Sequence, residues 1–179
     1  MQQTKLYKRV ATPFETLPPG TPESFLKLRS LGVGKVEVVV FVERSSTTQR
    51  YELLRTTECG DKATEAPFLL TASMTPLPAN EEDFNDWYDQ EHVPMVSQMA
   101  GYIRCRRCVS ASVAEEGVAI EEQQQQQRQQ TKYFTIHEVE DLAGFSGPEA
   151  RASGETEWTK KHMAQLKGFE MRGWELIKG

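Results

Sequence analysis

The chain has 179 residues, 26 acidic against 21 basic side chains, a net charge of -5 and a pI near 5.4. That is length for one good domain or for two small ones sharing a core, and it offers no basic field to a nucleic acid. No run of about 18 apolar residues suggests a membrane span, and the N-terminus lacks the apolar core of a secretory signal, so the cytosol is the expected compartment. The three cysteines, Cys59, Cys105 and Cys108, are a sparse and odd set. Cys105 and Cys108 have the spacing of half a zinc site or a redox pair, but no second pair exists, and on a strand such positions point to opposite faces. They read as buried or half-buried thiols. With three scattered histidines and no glycine-rich phosphate loop, the sequence offers no metal set and no nucleotide cofactor site.

The first 66 residues align with the end of the chain. Arg50-Tyr-Glu-Leu-Leu-Arg55 matches Gly173-Trp-Glu-Leu-Ile-Lys178, Thr4-Lys-Leu-Tyr7 matches Thr131-Lys-Tyr-Phe134, and Pro22-Glu23 matches Pro148-Glu149, in one order and at nearly equal spacing. Residues 1–66 therefore read as an incomplete first repeat holding its strand 3, helix 2 and strand 4, with Thr56–Ala66 as linker. The repeat favours a helix from about Pro22 to Arg44, broken at Gly32 and Gly34, against the strand propensity of Val36–Val42.

From Pro67 onward, Phe68–Met74 reads as a strand, Pro76–Asn80 as a connection, and a helix follows to about Met99, ended by Gly101. Tyr102–Val113 and Tyr133–Val139 read as further strands, the first with Arg104 and Arg106 on one face. Between them, residues 114–130 are a glutamine-rich insert expected to be disordered. Asp141–Gly147 is a turn-rich link. Pro148–Leu166 contains a second helix, best formed over Thr156–Leu166 and closed by Gly168, before the last strand, Phe169–Lys178. The order βαββαβ predicts a ferredoxin-like α+β domain over residues 67–179: an antiparallel four-stranded sheet with both helices on one face. The other face carries Ile, Phe and Trp side chains and needs a cover.

The first helix is the most specified element. Asn80 is a good N-cap, Glu81, Glu82 and Asp83 favour the first turn, and Asp83 holds the capping-box position. Phe84, Tyr88, His92 and Met95 recur at helical spacing with Trp87 and Glu91 beside them, which sets His92 on or next to the inward face. Asn85, Asp86 and Asp89 point to solvent. Pro94 removes a backbone donor and disfavours helical geometry at Val93, so the helix is expected to kink or end near His92. A histidine there faces a cavity, or it merely hydrogen-bonds a freed carbonyl.

Other candidates are less constrained. His137 shares a strand face with Tyr133 and Thr135, opposite Phe134, Ile136 and Glu138; if that face lines the barrel interior His137 enters the pocket, if it meets the helices it is merely a core histidine, and alternation does not decide between them. Arg172, Glu170 and Trp174 share a face of the last strand; they suit a carboxylate ligand, or the Arg and Glu form a structural pair. His162, beside Lys160 and Lys161, is expected on a solvated helix face.

Phe68–Val109, as strand, Asn-capped helix, Asp86-Trp-Tyr-Asp-Gln-Glu-His-Val-Pro94 and then Gly101-Tyr-Ile-Arg104, resembles the EthD-like branch of the dimeric α+β barrel superfamily. Arg50-Tyr-Glu-Leu-Leu54 resembles the close of the first domain in its tandem, mostly fungal members. The resemblance implies two ferredoxin-like units paired sheet face to sheet face, within a chain or across a dimer. Because the start of the first repeat is missing, pairing between chains, as a homodimer, is the expected form. The resemblance further implies a cofactor-independent lyase, cyclase or isomerase of secondary metabolism, acting on a polyketide-like or aromatic small molecule in an apolar pocket between the first helix and the sheet. His92 would be its general acid/base, since an imidazole titrates close enough to neutrality to take a proton from an enolisable ketone or phenol and return it. Tyr88 would be its hydrogen-bond partner and His137 a second catalytic group. Trp87, Phe84, Tyr133, Tyr102, Arg172 and Trp174 are the candidate substrate contacts. Two alternatives stay open: a non-catalytic ligand-binding or dimerisation module, and a cofactor-free monooxygenase of the same superfamily.

Overall fold

Alternating apolar side chains organise the chain into strands from its first described residues. The computed structural model describes residues 4–14, 19, 21, 23–30, 35–42, 45–59, 65–111 and 131–177, so the glutamine-rich insert lies outside the described residues. β1 (Thr4–Val10), β2 (Ser24–Ser30), β3 (Lys35–Val42) and β4 (Ser45–Glu58) form an antiparallel meander. β5 (Phe68–Thr75), β6 (Tyr102–Ser110), β7 (Tyr133–Val139) and β8 (Gly168–Leu176) form the ferredoxin-like sheet, in the spatial order β6-β7-β5-β8. β4 pairs with β6 and β1 with β8, so the eight strands of the described residues close into one barrel within a single chain.

Three expectations are corrected by this topology. The helix foreseen from about Pro22 to Arg44 gives way to β2 and β3. Leu26 and Leu28, and Val36 and Val38, are buried at strand spacing, and the β-branched run finds a partner strand on each side, which outweighs the repeat match. The expected linker is also shorter, because β4 continues through Thr56 to Glu58 against β6. Finally, the open face of the ferredoxin-like sheet is covered by the chain's own meander, which removes the physical reason for expecting a second copy as its cover.

The sheet separates two cores. Inside the barrel lie Tyr7, Leu26, Val38, Tyr51, Leu69, Ile136 and Trp174. On the outside, Leu70, Ala72, Met74, Cys105 and Val139 pack beneath the helices. Cys105 and Cys108 thus fall on opposite faces, both as buried free thiols.

The helical layer comprises two segments. After β5, a 3-10 turn (Pro78–Asn80) leads into α1 (Glu81–Trp87), a π turn (Tyr88–His92) and α2 (Val93–Val96). After β7, a 3-10 turn (Leu142–Ser146), capped by the Asp141 carboxylate, leads into α3 (Pro148–Glu155) and α4 (Glu157–Gln165). The helix expected over Pro148–Leu166 is broken at Thr156, which is extended (φ -64°, ψ 150°) and caps α4 by accepting from Thr159 N–H. Gly168 opens β8 instead of closing the helix. Gly101 does end the first helical segment, at φ 75°. Asn80 makes no capping bond; its Nδ2 donates to Gln165 Oε1 at 2.8 Å, and Asp83 pairs with Lys161 of α4 instead of completing a capping box. Sequence-local caps yield here to contacts that fasten one helical segment to the other.

Candidate functional site

The π turn sets the histidine. Pro94 cannot donate to the helical ladder; the ladder slips so that Val93 N–H reaches Tyr88 C=O, five residues back, and the helix continues past His92 instead of ending there. The extra residue in that turn advances the inward stripe in steps of four, from Phe84 to Tyr88 to His92 to Val96. Val96 is buried where Met95 was expected, and Met95 is only partly covered.

Asn85 and Asp89, expected to face water, instead hold a buried cation. Arg107, 3% exposed, donates to Asp89 Oδ1 and to Asn85 Oδ1 at 2.8 Å each, and its guanidinium lies 4.2 Å from the centre of the Tyr88 ring. Arg55 reaches the other Asp89 oxygen at 2.9 Å. Arg107 comes from the helix-facing side of β6, while Arg104 and Arg106 face the barrel and bind Glu138 of β7. His162 is likewise not solvated: it is buried, stacks on Trp87 with ring centres 5.2 Å apart, and sits 2.9 Å from Asp83 Oδ2. Trp87 donates its indole N–H to Thr159 Oγ1 at 2.9 Å, and Thr159 in turn donates to Ser153 C=O at 2.7 Å. These bonds fix α1 against α3 and α4.

Between the helices and the sheet lies an apolar cavity of about 390 Å³. Trp87, Tyr88 and His92 line it from the helix, His137, Leu70 and Met171 from the sheet, and Phe145, Ser153, Thr159 and Met163 from the second helical segment. The strand face of His137 meets the helices, where a core histidine with no pocket was expected; that expectation is corrected, because the cavity lies on the helix side and His137 lines it. The sequence-predicted residues divide accordingly. His92, Tyr88, His137 and Trp87 share the cavity, whereas Phe84, Tyr133, Tyr102, Arg172 and Trp174 are not among its lining. Phe84 is wholly buried beneath it; Tyr133 donates to Glu81 at 2.6 Å; Trp174 donates to Thr71 inside the barrel at 2.9 Å; Arg172 pairs with Glu170. Tyr102 lies behind His137, its hydroxyl 2.7 Å from His137 Nδ1.

Phe14 also lines the cavity, 57% exposed at its mouth, and had no sequence signal. It arrives because the chain leaving β1 crosses β8 at Gly173. A side chain there would begin 2.9 Å from Thr12 Cγ2 and 3.0 Å from Val10 O, so only glycine admits the crossing.

Both cavity histidines are neutral at pH 7. Burial, reinforced by the Arg107 charge, lowers His92 to about 4; burial, then His92 itself, lowers His137 to about 3. The two rings are 6.4 Å apart, and His92 packs on Trp87 at 4.8 Å and Tyr88 at 5.0 Å. His92 Nδ1 is buried without a hydrogen-bond partner among the described residues. The Tyr88 hydroxyl is directed at Met74 Sδ, 3.9 Å away, and burial raises its pKa. The arrangement can therefore offer two neutral imidazoles to one apolar ligand. Among the described residues no group of His, Cys, Asp and Glu side chains has metal-binding geometry.

No protein-family model matches the chain, and no curated protein matches it in sequence. Solved structures do match in shape. A heme-degrading enzyme of Listeria monocytogenes superposes with a TM-score of 0.55 at 9% identity, over 97% of this chain and 84% of that one. A protein described as anthrone oxidase-like gives 0.55 at 9%, over 99% and 77%. A Listeria monocytogenes ferredoxin-fold protein related to antibiotic biosynthesis monooxygenases gives 0.51 at 11%, over 100% and 97%. At such identities the likeness speaks to fold alone, and that fold is the ferredoxin-like α+β architecture.

Proposed function

We propose that the chain is an enzyme that binds an aromatic or polyketide-like small molecule in the helix–sheet cavity and moves a proton on it without a cofactor, as a lyase, cyclase or isomerase. The observation that carries this is the convergence of His92, His137, Tyr88 and Trp87 on one apolar cavity of about 390 Å³. An apolar cavity with a few convergent polar groups is the usual form of a small-molecule site. Burial leaves the imidazole of His92 unprotonated at pH 7 but, at a pKa of about 4, a weak base, which suits a substrate whose C–H or O–H is already acidic; Trp87 and Tyr88 supply flat apolar walls for an aromatic ring.

A cofactor-free monooxygenase is the second reading, supported by neighbours described as anthrone oxidase-like and as related to antibiotic biosynthesis monooxygenases. One experiment serves both. Purified protein is incubated with anthrone and with linear polyketide mimics, in air and under argon, alongside His92→Ala. Product formed equally in both atmospheres and reduced about 100-fold or more by His92→Ala supports proton chemistry. Product formed only in air, with matching oxygen uptake, moves the assignment to an oxygenase. Undiminished turnover by His92→Ala removes His92 from the mechanism.

A further inference from the structure

The two cavity histidines are not equivalent. His92 has a buried Nδ1 with no partner among the described residues, whereas His137 has its Nδ1 2.7 Å from the Tyr102 hydroxyl, which sits behind it on β6 away from the cavity lining. A buried hydroxyl has to donate somewhere. Tyr102 is buried to 4% exposure and burial keeps its phenol protonated; besides His137, Cys105 is within hydrogen-bonding reach, with Cys59 and Tyr88 near, and the Cys105 sulfur is a weak acceptor beside an imidazole nitrogen. Cys105 is itself held as a thiol, its pKa pushed up to about 12 by burial. The pairing of Tyr102 and His137 spans neighbouring strands: Tyr102 stands opposite Val139 and Cys105 opposite His137, in a register shifted by a bulge between Tyr102 and Arg104.

We infer that Tyr102 is a positioning residue: it donates to His137 Nδ1, fixes that ring as the Nε2–H tautomer, and thereby makes His137 the hydrogen-bond donor of the site while His92 is its proton acceptor. The division of labour rests on the functional reading above. It narrows the substrate class to molecules with a carbonyl or phenolic oxygen next to an acidic C–H or O–H. A proton leaves the substrate for His92, the electron pair it leaves behind is delocalised onto the oxygen, and that oxygen accepts the His137 Nε2–H bond; the proton then returns from the His92 imidazolium to complete an isomerisation. Tyr102, expected from sequence to touch substrate, acts through His137 instead.

The test reads the free protein, so it is independent of whether a substrate or turnover is found. The full chain is labelled with 15N and its imidazole nitrogens are observed through their two-bond couplings at pH 7.5, with His92→Gln and His162→Gln variants used for assignment. The expected result is a His137 spectrum with Nδ1 at the position of an unprotonated nitrogen and Nε2 protonated, which changes to a mixture of tautomers in Tyr102→Phe. A His137 ring protonated at Nδ1 in the wild-type chain overturns the inference without recourse to any variant. So does an unchanged Nε2–H tautomer in a folded Tyr102→Phe protein.

Discussion

On β7, Glu138 and His137 are neighbours in sequence, both almost completely sealed from solvent, and they solve the same problem in opposite ways. Glu138 faces the barrel interior, where Arg104 at 3.0 Å and Arg106 bind it. His137 faces the helices, where among the described residues no carboxylate is hydrogen-bonded to it and burial keeps it neutral. Burying a charge requires a partner, whereas burying a titratable group as its neutral form requires only that its pKa can move. The barrel face is accordingly held by compensated charge and close packing. The helix face has kept two neutral rings beside open space, and that is why we propose it as the binding face.

The difference can be broken most severely on the barrel side. Glu138→Ala leaves two arginines without their shared carboxylate and should cost about 3 kcal/mol, the lower end for a broken buried pair because both arginines reach solvent. Urea unfolding reads this directly, and a loss below about 1 kcal/mol would show that the pair is not structural. At the seam between the two faces, Gly173→Ala forces a methyl against Thr12, Leu142 and the Val10 carbonyl; overpacking of this kind should cost about 2 kcal/mol and shift Phe14 at the cavity mouth.

On the helix side the expected signature is acid sensitivity. His137 binds its proton near pH 6.5 when unfolded and near 3 when folded, so the unfolded state holds more protons between those values. Its contribution is fully present above pH 6.5 and is lost as the pH falls. At pH 5 the loss should be about 2 kcal/mol for His137 and nearly as much for His92. Replacing His137 by Phe should flatten the dependence of unfolding free energy on pH between 7 and 5; an unchanged slope would mean that the ring already protonates in the native protein. A smaller effect, about 1 kcal/mol, is expected for Thr159→Val, which leaves the Trp87 indole N–H buried without its acceptor.

These contrasts also explain what could be read from the sequence. Strands β5 to β8 and the helix before Pro94 were legible because period-2 and period-3.6 patterns are local properties of the chain. The cavity's side of the sheet was not, because both faces of β7 are apolar enough to be buried and alternation gives no sign. Asn85 and Asp89 looked solvent-facing because nothing near them in sequence reveals that Arg107 will arrive from another strand. His162 looked solvated beside two lysines, although its spacing of four from Trp158 marked the opposite face of the same helix. The helix expected before Arg44 rested on similarity to a distant segment, and two available partner strands overrode it. Phe14 reaches the cavity only because the barrel closes, a fact without any local trace.

The most direct test of the cavity as the binding site uses one indole reporter on each face. Trp87 lines the cavity, and Trp174 is buried in the barrel with its N–H on Thr71. In 15N-labelled protein titrated with 2-naphthol, the Trp87 indole resonance should move saturably while that of Trp174 holds still. Movement of Trp174 with Trp87 unmoved, or saturable binding that moves neither, would contradict the assignment of the helix face as the site.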